Sequence, residues 1–147
     1  MSAGRVLGLD PGHRRVGVAL SDPGGVIASP YDVIARNAGT AERIAELCAE
    51  LDVTTVVVGL PVGLSGREGP AADEARSFGA DVAATIGHDV VYWDERFTSV
   101  TAERSLVDAG VRRAERREVR DKVAAAVMLQ AYLDHTGNND RSRTPDA

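Results

Sequence analysis

Apolar residues follow two different rhythms along this chain. At the start they come in short runs, Val6 to Asp10, Val16 to Ser21 and Val26 to Ile34, the last interrupted at Pro30. Such runs, bounded by turn-forming residues, predict β-strands. The breaks Pro11-Gly12 and Asp22-Pro23-Gly24-Gly25 are turn sequences, so the strands are expected to form an antiparallel meander. The period then lengthens. Thr40 is placed as N-cap of a helix over Ala41 to Leu51, with Ile44, Leu47, Cys48 and Leu51 on one side. Val53 to Gly59 is almost wholly β-branched, as befits a strand covered on both faces. A glycine-rich loop from Pro61 to Pro70 leads to a helix from Ala71 to Ile86, then a strand from Val90 to Glu95. A helix from Val100 to Ala109, stopped by Gly110, and a last helix from Arg117 to His135 complete the pattern.

The order β-β-β-α-β-α-β-α-α predicts an α/β domain with a mixed five-stranded sheet. Three antiparallel strands are followed by βα units, with helices on both faces. That is a ribonuclease H-like architecture, in which the first strand is central. A single domain is expected over residues 1–137, with residues 138–147 as a polar, disordered C-terminal tail. A chain of 147 residues can bury a real core without staples.

Composition narrows the class. One cysteine, Cys48, excludes an internal disulfide framework and suits a reducing cytoplasm. No apolar run approaches membrane-span length, and MSAGRVLGLD lacks the regions of a signal peptide. A net charge of −5 argues against indiscriminate nucleic-acid binding. Its distribution points the other way. Arg104, Arg112, Arg113, Arg116, Arg117, Arg120 and Lys122 crowd one stretch, and Arg14 and Arg15 form a second basic spot. Lys122, the only lysine, stands beside Asp121, where a compact ammonium differs from a planar guanidinium.

Three acids occupy apolar settings. Asp10 ends the first strand, where a desolvated carboxylate is costly unless it is paired or binds a cation. An Asx-type turn before Pro11-Gly12 would explain it equally well. Asp121 shares a helix face with Ala125, Met128, Leu129 and Tyr132, all apolar. Its bland explanation is a favourable place in the first helical turn. On the fifth strand, alternation sets Val91, Trp93 and Glu95 on one face and Val90, Tyr92 and Asp94 on the other. Only one of Asp94 and Glu95 can easily join Asp10, the other being free to pair with Arg96. In the predicted architecture the three acid positions converge. Clustered carboxylates repel unless cations neutralise them, which Mg²⁺ or Mn²⁺ would do.

The residues carrying these features occur in ordered motifs. Leu7 to Asp22 (LGLDPGHRRVGVALSD), Val58-Gly59-Leu60-Pro61 with Ser65 to Pro70, Trp93 to Ser99 (WDERFTS), and Asp121 to Ala125 with Leu129 to Leu133 together resemble the YqgF/RuvX family. That family comprises nucleases maturing the precursor of small-subunit ribosomal RNA. The resemblance spans Arg5 to Asp134 and implies a ribonuclease H-like fold related to Holliday junction resolvases. It implies Asp10, Glu95 and Asp121 as catalytic and metal-holding residues. Arg14, Arg15, Arg96 and Lys122 match as candidate nucleic-acid contacts. Pro11 and His13 receive no catalytic role, His13 being read as a surface turn. Gly59, Gly63, Gly66 and Gly69 would give the loop unusual dihedrals or close approach to nucleic acid.

The function so implied is a metal-dependent endonuclease of structured RNA, processing the 16S rRNA precursor in the cytoplasm, with ribosomal particles as partners. Monomer and homodimer both stay open. One alternative is a Holliday junction resolvase acting on four-way DNA, which would favour a symmetric dimer. Another is a ribosome-assembly factor that binds nucleic acid without cutting it. An actin-like nucleotide site also resembles the opening motif, but needs two such domains.

Overall fold

The computed structural model describes residues 4–63, 65–98 and 113–143, with side chains of the last helix described from 119 to 137. Strands β1 (Arg5–Pro11), β2 (Arg15–Ser21) and β3 (Ala28–Ala35) come first, followed by α1 (Thr40–Glu50), β4 (Val53–Leu60), α2 (Pro70–Ile86) and β5 (Val91–Asp94). A 3-10 turn, Glu95–Phe97, and helix α3, Arg113–Arg143, follow. The sheet order is β3-β2-β1-β4-β5, with β1 in the centre. β1 pairs antiparallel with β2 and parallel with β4, β2 antiparallel with β3, and β4 parallel with β5. This is the mixed ribonuclease H-like sheet that the apolar pattern predicts.

Alternation along the strands divides the core in two. Leu7, Leu9, Val16, Val18, Val56 and Val58 point to the side of α1 and α2, where they meet Ile44, Phe78 and Val82. Val6, Ala19 and Val57 point to the other side and meet Ala125, Ala126, Met128 and Leu129 of α3. The first layer is the bulkier, and each fully buried Val or Leu contributes about 1.5–3 kcal/mol. Cys48 packs part-buried at the edge of that layer, and burial raises its thiol pKa, as suits a packing residue.

Several boundaries differ from the sequence pattern for local reasons. Val26 and Ile27 precede β3 because their N–H groups donate to the Asp22 carboxylate, each at 2.8 Å, which wraps the loop. Pro30 causes no ladder loss because β3 is an edge strand, and the register slips beside it. Thr40 is not the N-cap of α1. Gly39 holds that position, while the Thr40 hydroxyl accepts from the Asn37 N–H at 2.7 Å and donates to the Ala35 carbonyl at 2.9 Å. Pro70 opens α2, where its missing N–H is harmless, and Gly87 closes it in the left-handed region with φ 87°. The backbone of α3 continues to Arg143, past Asn138 where a disordered tail was expected. The helix expected over residues 100–109 and the side chains of the basic run from 104 to 117 lie outside the described residues. Among the described residues no helix is long and apolar enough to cross a membrane.

Candidate active site

Asp10 is the next-to-last residue of β1 and belongs to the α3 side of the sheet by alternation with Leu9. Its partner across the ladder is Gly17. A Cβ at Gly17 would collide with the backbone carbonyl of Asp121, and one at Gly8 would stand 2.9 Å from Leu129 Cβ. These two glycines let α3 lie directly on the strands. Glycine within a strand often marks such a close approach. The helix thereby brings Asp121 to the strand pair that carries Asp10.

The third acid arrives from β5. Trp93 packs on the α3 side, edge-on to Tyr132 with ring centroids 6.0 Å apart, so Glu95 emerges on the same side. A Cβ at Gly59 would stand only 2.7 Å from Glu95 Oε1. Gly59 lies within β4, not in the following loop, and its bare backbone lets the Glu95 carboxylate cross to Asp10. Asp94 turns away and is consumed locally. It accepts from Arg96 Nη2 at 2.6 Å, from Nε at 2.9 Å and from the Arg96 backbone N–H at 2.9 Å. Arg96 accordingly holds the Asp94 carboxyl below the usual carboxylate range. Periodicity left Asp94 and Glu95 open; the strand, expected to run to Glu95, ends at Asp94, which Arg96 takes up, and Glu95 opens the 3-10 turn from which its carboxylate reaches Asp10.

Asp10 carries the electrostatic strain of the cluster. Burial pushes its pKa up to about 8, and a hydrogen bond with Glu95 and the charges of Glu95 and Asp121 act in the same direction. The Asp10 carboxyl is thereby biased toward its protonated form. Asp121 is neutralised differently, by Arg15 Nε at 2.9 Å from its Oδ2.

The cations expected to contact nucleic acid are thus not equivalent. Arg15 and Asp121 are paired, with side chains 37% and 32% exposed. Arg96 is engaged by Asp94, and its guanidinium also lies 3.7 Å from where a Cβ of Gly66 would be, at φ 87° in the glycine-rich loop. Arg14 is exposed and Lys122 half-buried. A depression of about 300 Å³ is lined by Asp10, Arg14, Arg15 and Asp121 together with the β1–β2 turn. His13 is on the surface of that turn, 88% exposed and 3.6 Å from Glu74.

Sequence reasoning passed over two supports of this site. Arg36 donates from Nη1 to the Gly12 carbonyl at 2.7 Å, and its backbone N–H to the Arg14 carbonyl at 2.8 Å, clamping the β1–β2 turn. No local signal marks that role. Gly8 and Gly17 did carry one, since both interrupt otherwise apolar strands.

The donor set at Asp10, Glu95 and Asp121 is all carboxylate oxygen. It suits a hard divalent cation, which would offset both the burial of the Asp10 carboxyl and the neighbouring charges of Glu95 and Asp121. Among the described residues no three acidic, histidine or cysteine side chains are already arranged as a closed ligand set.

Comparison with known proteins gives the arrangement a family. The chain is 44% identical over 140 residues to a protein of Pelotomaculum thermopropionicum named "Putative pre-16S rRNA nuclease", covering 93% of this chain and 91% of that one. Proteins of the same name from Listeria monocytogenes (44% identity over 90% of this chain and 99% of that one) and Myxococcus xanthus (42% over 97% and 95%) agree. Among solved structures, Thermus thermophilus RuvC in complex with a Holliday junction substrate superposes with TM-score 0.57 at 15% identity, covering 91% of this chain and 96% of that one. That likeness concerns the fold. A family model described as "RuvX: Holliday junction resolvase" matches residues 4–135, and with relatives above 40% identity across nearly its full length, the chain belongs to the RuvX family.

Proposed function

We propose that the protein is a metal-dependent endonuclease that hydrolyses phosphodiester bonds in structured RNA, with the precursor of 16S rRNA as its substrate. The observation that carries the reading is the convergence of acids from three elements. Asp10 of β1 hydrogen-bonds Glu95, which reaches it over Gly59 from the turn after β5, and Asp121 of α3, seated against Gly17 by its backbone, lies close enough for its charge to act on Asp10. Family membership and the names of the relatives supply the nuclease class and the RNA.

In this reading Asp10, Glu95 and Asp121 would hold Mg²⁺ or Mn²⁺, which when bound would supply activation of water and charge stabilisation at the leaving oxygen. Arg14 and Arg15 border the depression and, with Lys122 next to Asp121 in sequence, place the strand by its phosphates. Arg96 stiffens the turn beside Glu95 through Asp94, and its guanidinium faces the glycine-rich loop. Trp93, locked by Tyr132 and donating to Thr98 Oγ1 at 3.2 Å, anchors the turn from which Glu95 projects.

A second reading has its own support. The description of the matching family model names a Holliday junction resolvase, which acts on four-way DNA junctions. Symmetric cutting of a junction calls for a two-fold dimer. The deciding experiment sets a 16S precursor fragment beside a four-way DNA junction, with Mg²⁺ and Mn²⁺, for wild type, Asp10→Asn and Asp121→Asn. RNA cleavage lost in both variants supports the proposal. Junction cleavage alone transfers the assignment to a resolvase, and binding without cutting of either substrate supports an assembly factor.

A further inference from the structure

The ion pair between Arg15 and Asp121 is the point at which the site opposes itself. Asp121 is one of three acids assigned to a divalent cation, yet its Oδ2 is 2.9 Å from Arg15 Nε. Arg15 is assigned to phosphate, yet its guanidinium is occupied by that carboxylate. Both side chains are part-exposed, 37% and 32%, which keeps such a pair weak enough to exchange. The backbone beneath Arg15 is fixed. Its carbonyl accepts from Gly12 N–H at 2.8 Å, and Arg36 holds the same turn from outside. Exchange would therefore need only a side-chain rotation on a rigid turn, within a depression already lined by Arg14 and Asp10.

We propose that Arg15 is a positioning residue that exchanges partners. It holds Asp121 in the cation-free protein, and a divalent cation that takes Asp121 releases Arg15 to a phosphate of the nucleic acid. The inference rests on the nuclease reading and deepens it. A guanidinium freed from a carboxylate is suited to bidentate phosphate contact. Cation and nucleic acid then reinforce each other's binding, because each favours the exchanged state.

The test measures affinity for a labelled hairpin RNA with single-stranded flanks, with and without Ca²⁺ at constant ionic strength, the probe being confirmed intact afterwards. Melting temperatures against Ca²⁺ without RNA are recorded in parallel. Wild type should bind RNA about tenfold more tightly with Ca²⁺, within the usual range of such coupling. Arg15→Gln should keep less than about a twofold gain, and should respond to Ca²⁺ at lower concentration, since its competitor is gone. Arg15→Lys, which retains charge without the fork, should fall between them. Arg14→Gln should weaken binding with and without Ca²⁺ alike and preserve the gain. A full Ca²⁺-dependent gain in Arg15→Gln overturns the exchange. So does wild type whose RNA affinity ignores Ca²⁺ while its melting temperature rises, and the nuclease reading then survives. No melting response to Ca²⁺ in any protein overturns both.

Discussion

The two faces of the sheet are built on opposite rules. Toward α1 and α2 the strands present Leu7, Leu9, Val16, Val18, Val56 and Val58, an unbroken layer of bulky side chains. Toward α3 the same strands present Val6, Gly8 and Asp10, then Gly17 and Ala19, then Val57 and Gly59. The first face separates helix from sheet by the width of its side chains, and the strand residues of that layer are all apolar. The second removes side chains until backbone meets backbone, and spends the space on carboxylates. On the proposed assignment, stability and chemistry sit on opposite sides of one three-strand platform, and substitutions should separate them.

The largest effect should come from the acid face. Asp10→Asn should lower cleavage at least a thousandfold, roughly 4 kcal/mol of transition-state stabilisation. Cation-free stability at pH 8 should meanwhile hold or rise, because a strained acid is replaced by a neutral isostere. A large fall in melting temperature together with activity would erase the distinction between the faces. Leu9→Ala is the reciprocal case. It should cost about 2–5 kcal/mol of stability by the cavity it leaves, with kcat near wild type at temperatures where the variant is folded. Chemical denaturation and single-turnover cleavage read the two sides independently.

Gly17→Ala sharpens the comparison, because it touches both properties. A methyl there meets the Asp121 carbonyl, so α3 must lift. About 1–3 kcal/mol of stability should be lost by overpacking, with weaker Mn²⁺ binding as Asp121 leaves Asp10. The same substitution at an apolar-face position would affect stability alone.

The smallest effect is the pH dependence of the cation-free protein. The Asp10 carboxyl is raised from 3.8 to about 8, so the folded state keeps a proton that the unfolded chain has lost. Its contribution is fully present below the unfolded value of 3.8 and is lost as pH rises through about 8. Melting temperature should therefore decline across that window. Asp10→Asn should flatten this component, and saturating Mg²⁺ should reduce it by favouring the ionised form. A wild-type profile already flat from pH 5 to 8 would contradict the coupling of Asp10 to Glu95.

Much of this was legible in residue order. The apolar runs, their breaks at Pro11-Gly12 and Asp22 to Gly25, and the lengthening of period after Thr40 are local facts, and strands and helices form where such facts agree. Asp10 and Asp121 stood out because a charge among apolar neighbours needs an explanation that neighbours in sequence cannot supply. The placement of Thr40 went wrong for a reason of the same kind in reverse. Its hydroxyl had better partners in Asn37 and Ala35 than in the helix it was expected to cap.

Residue order by itself therefore determined the elements, their succession and the residues whose charge was out of place, since all three depend on spacing along the chain. Tertiary structure decided what spacing cannot encode. It chose Glu95 over Asp94 by ending β5 at Asp94, which Arg96 takes up, and it gave Gly17 and Gly59 their purpose by what approaches them from across the sheet. It also set Arg15 against Asp121, a pairing between residues that only the packing of α3 on β2 brings within reach.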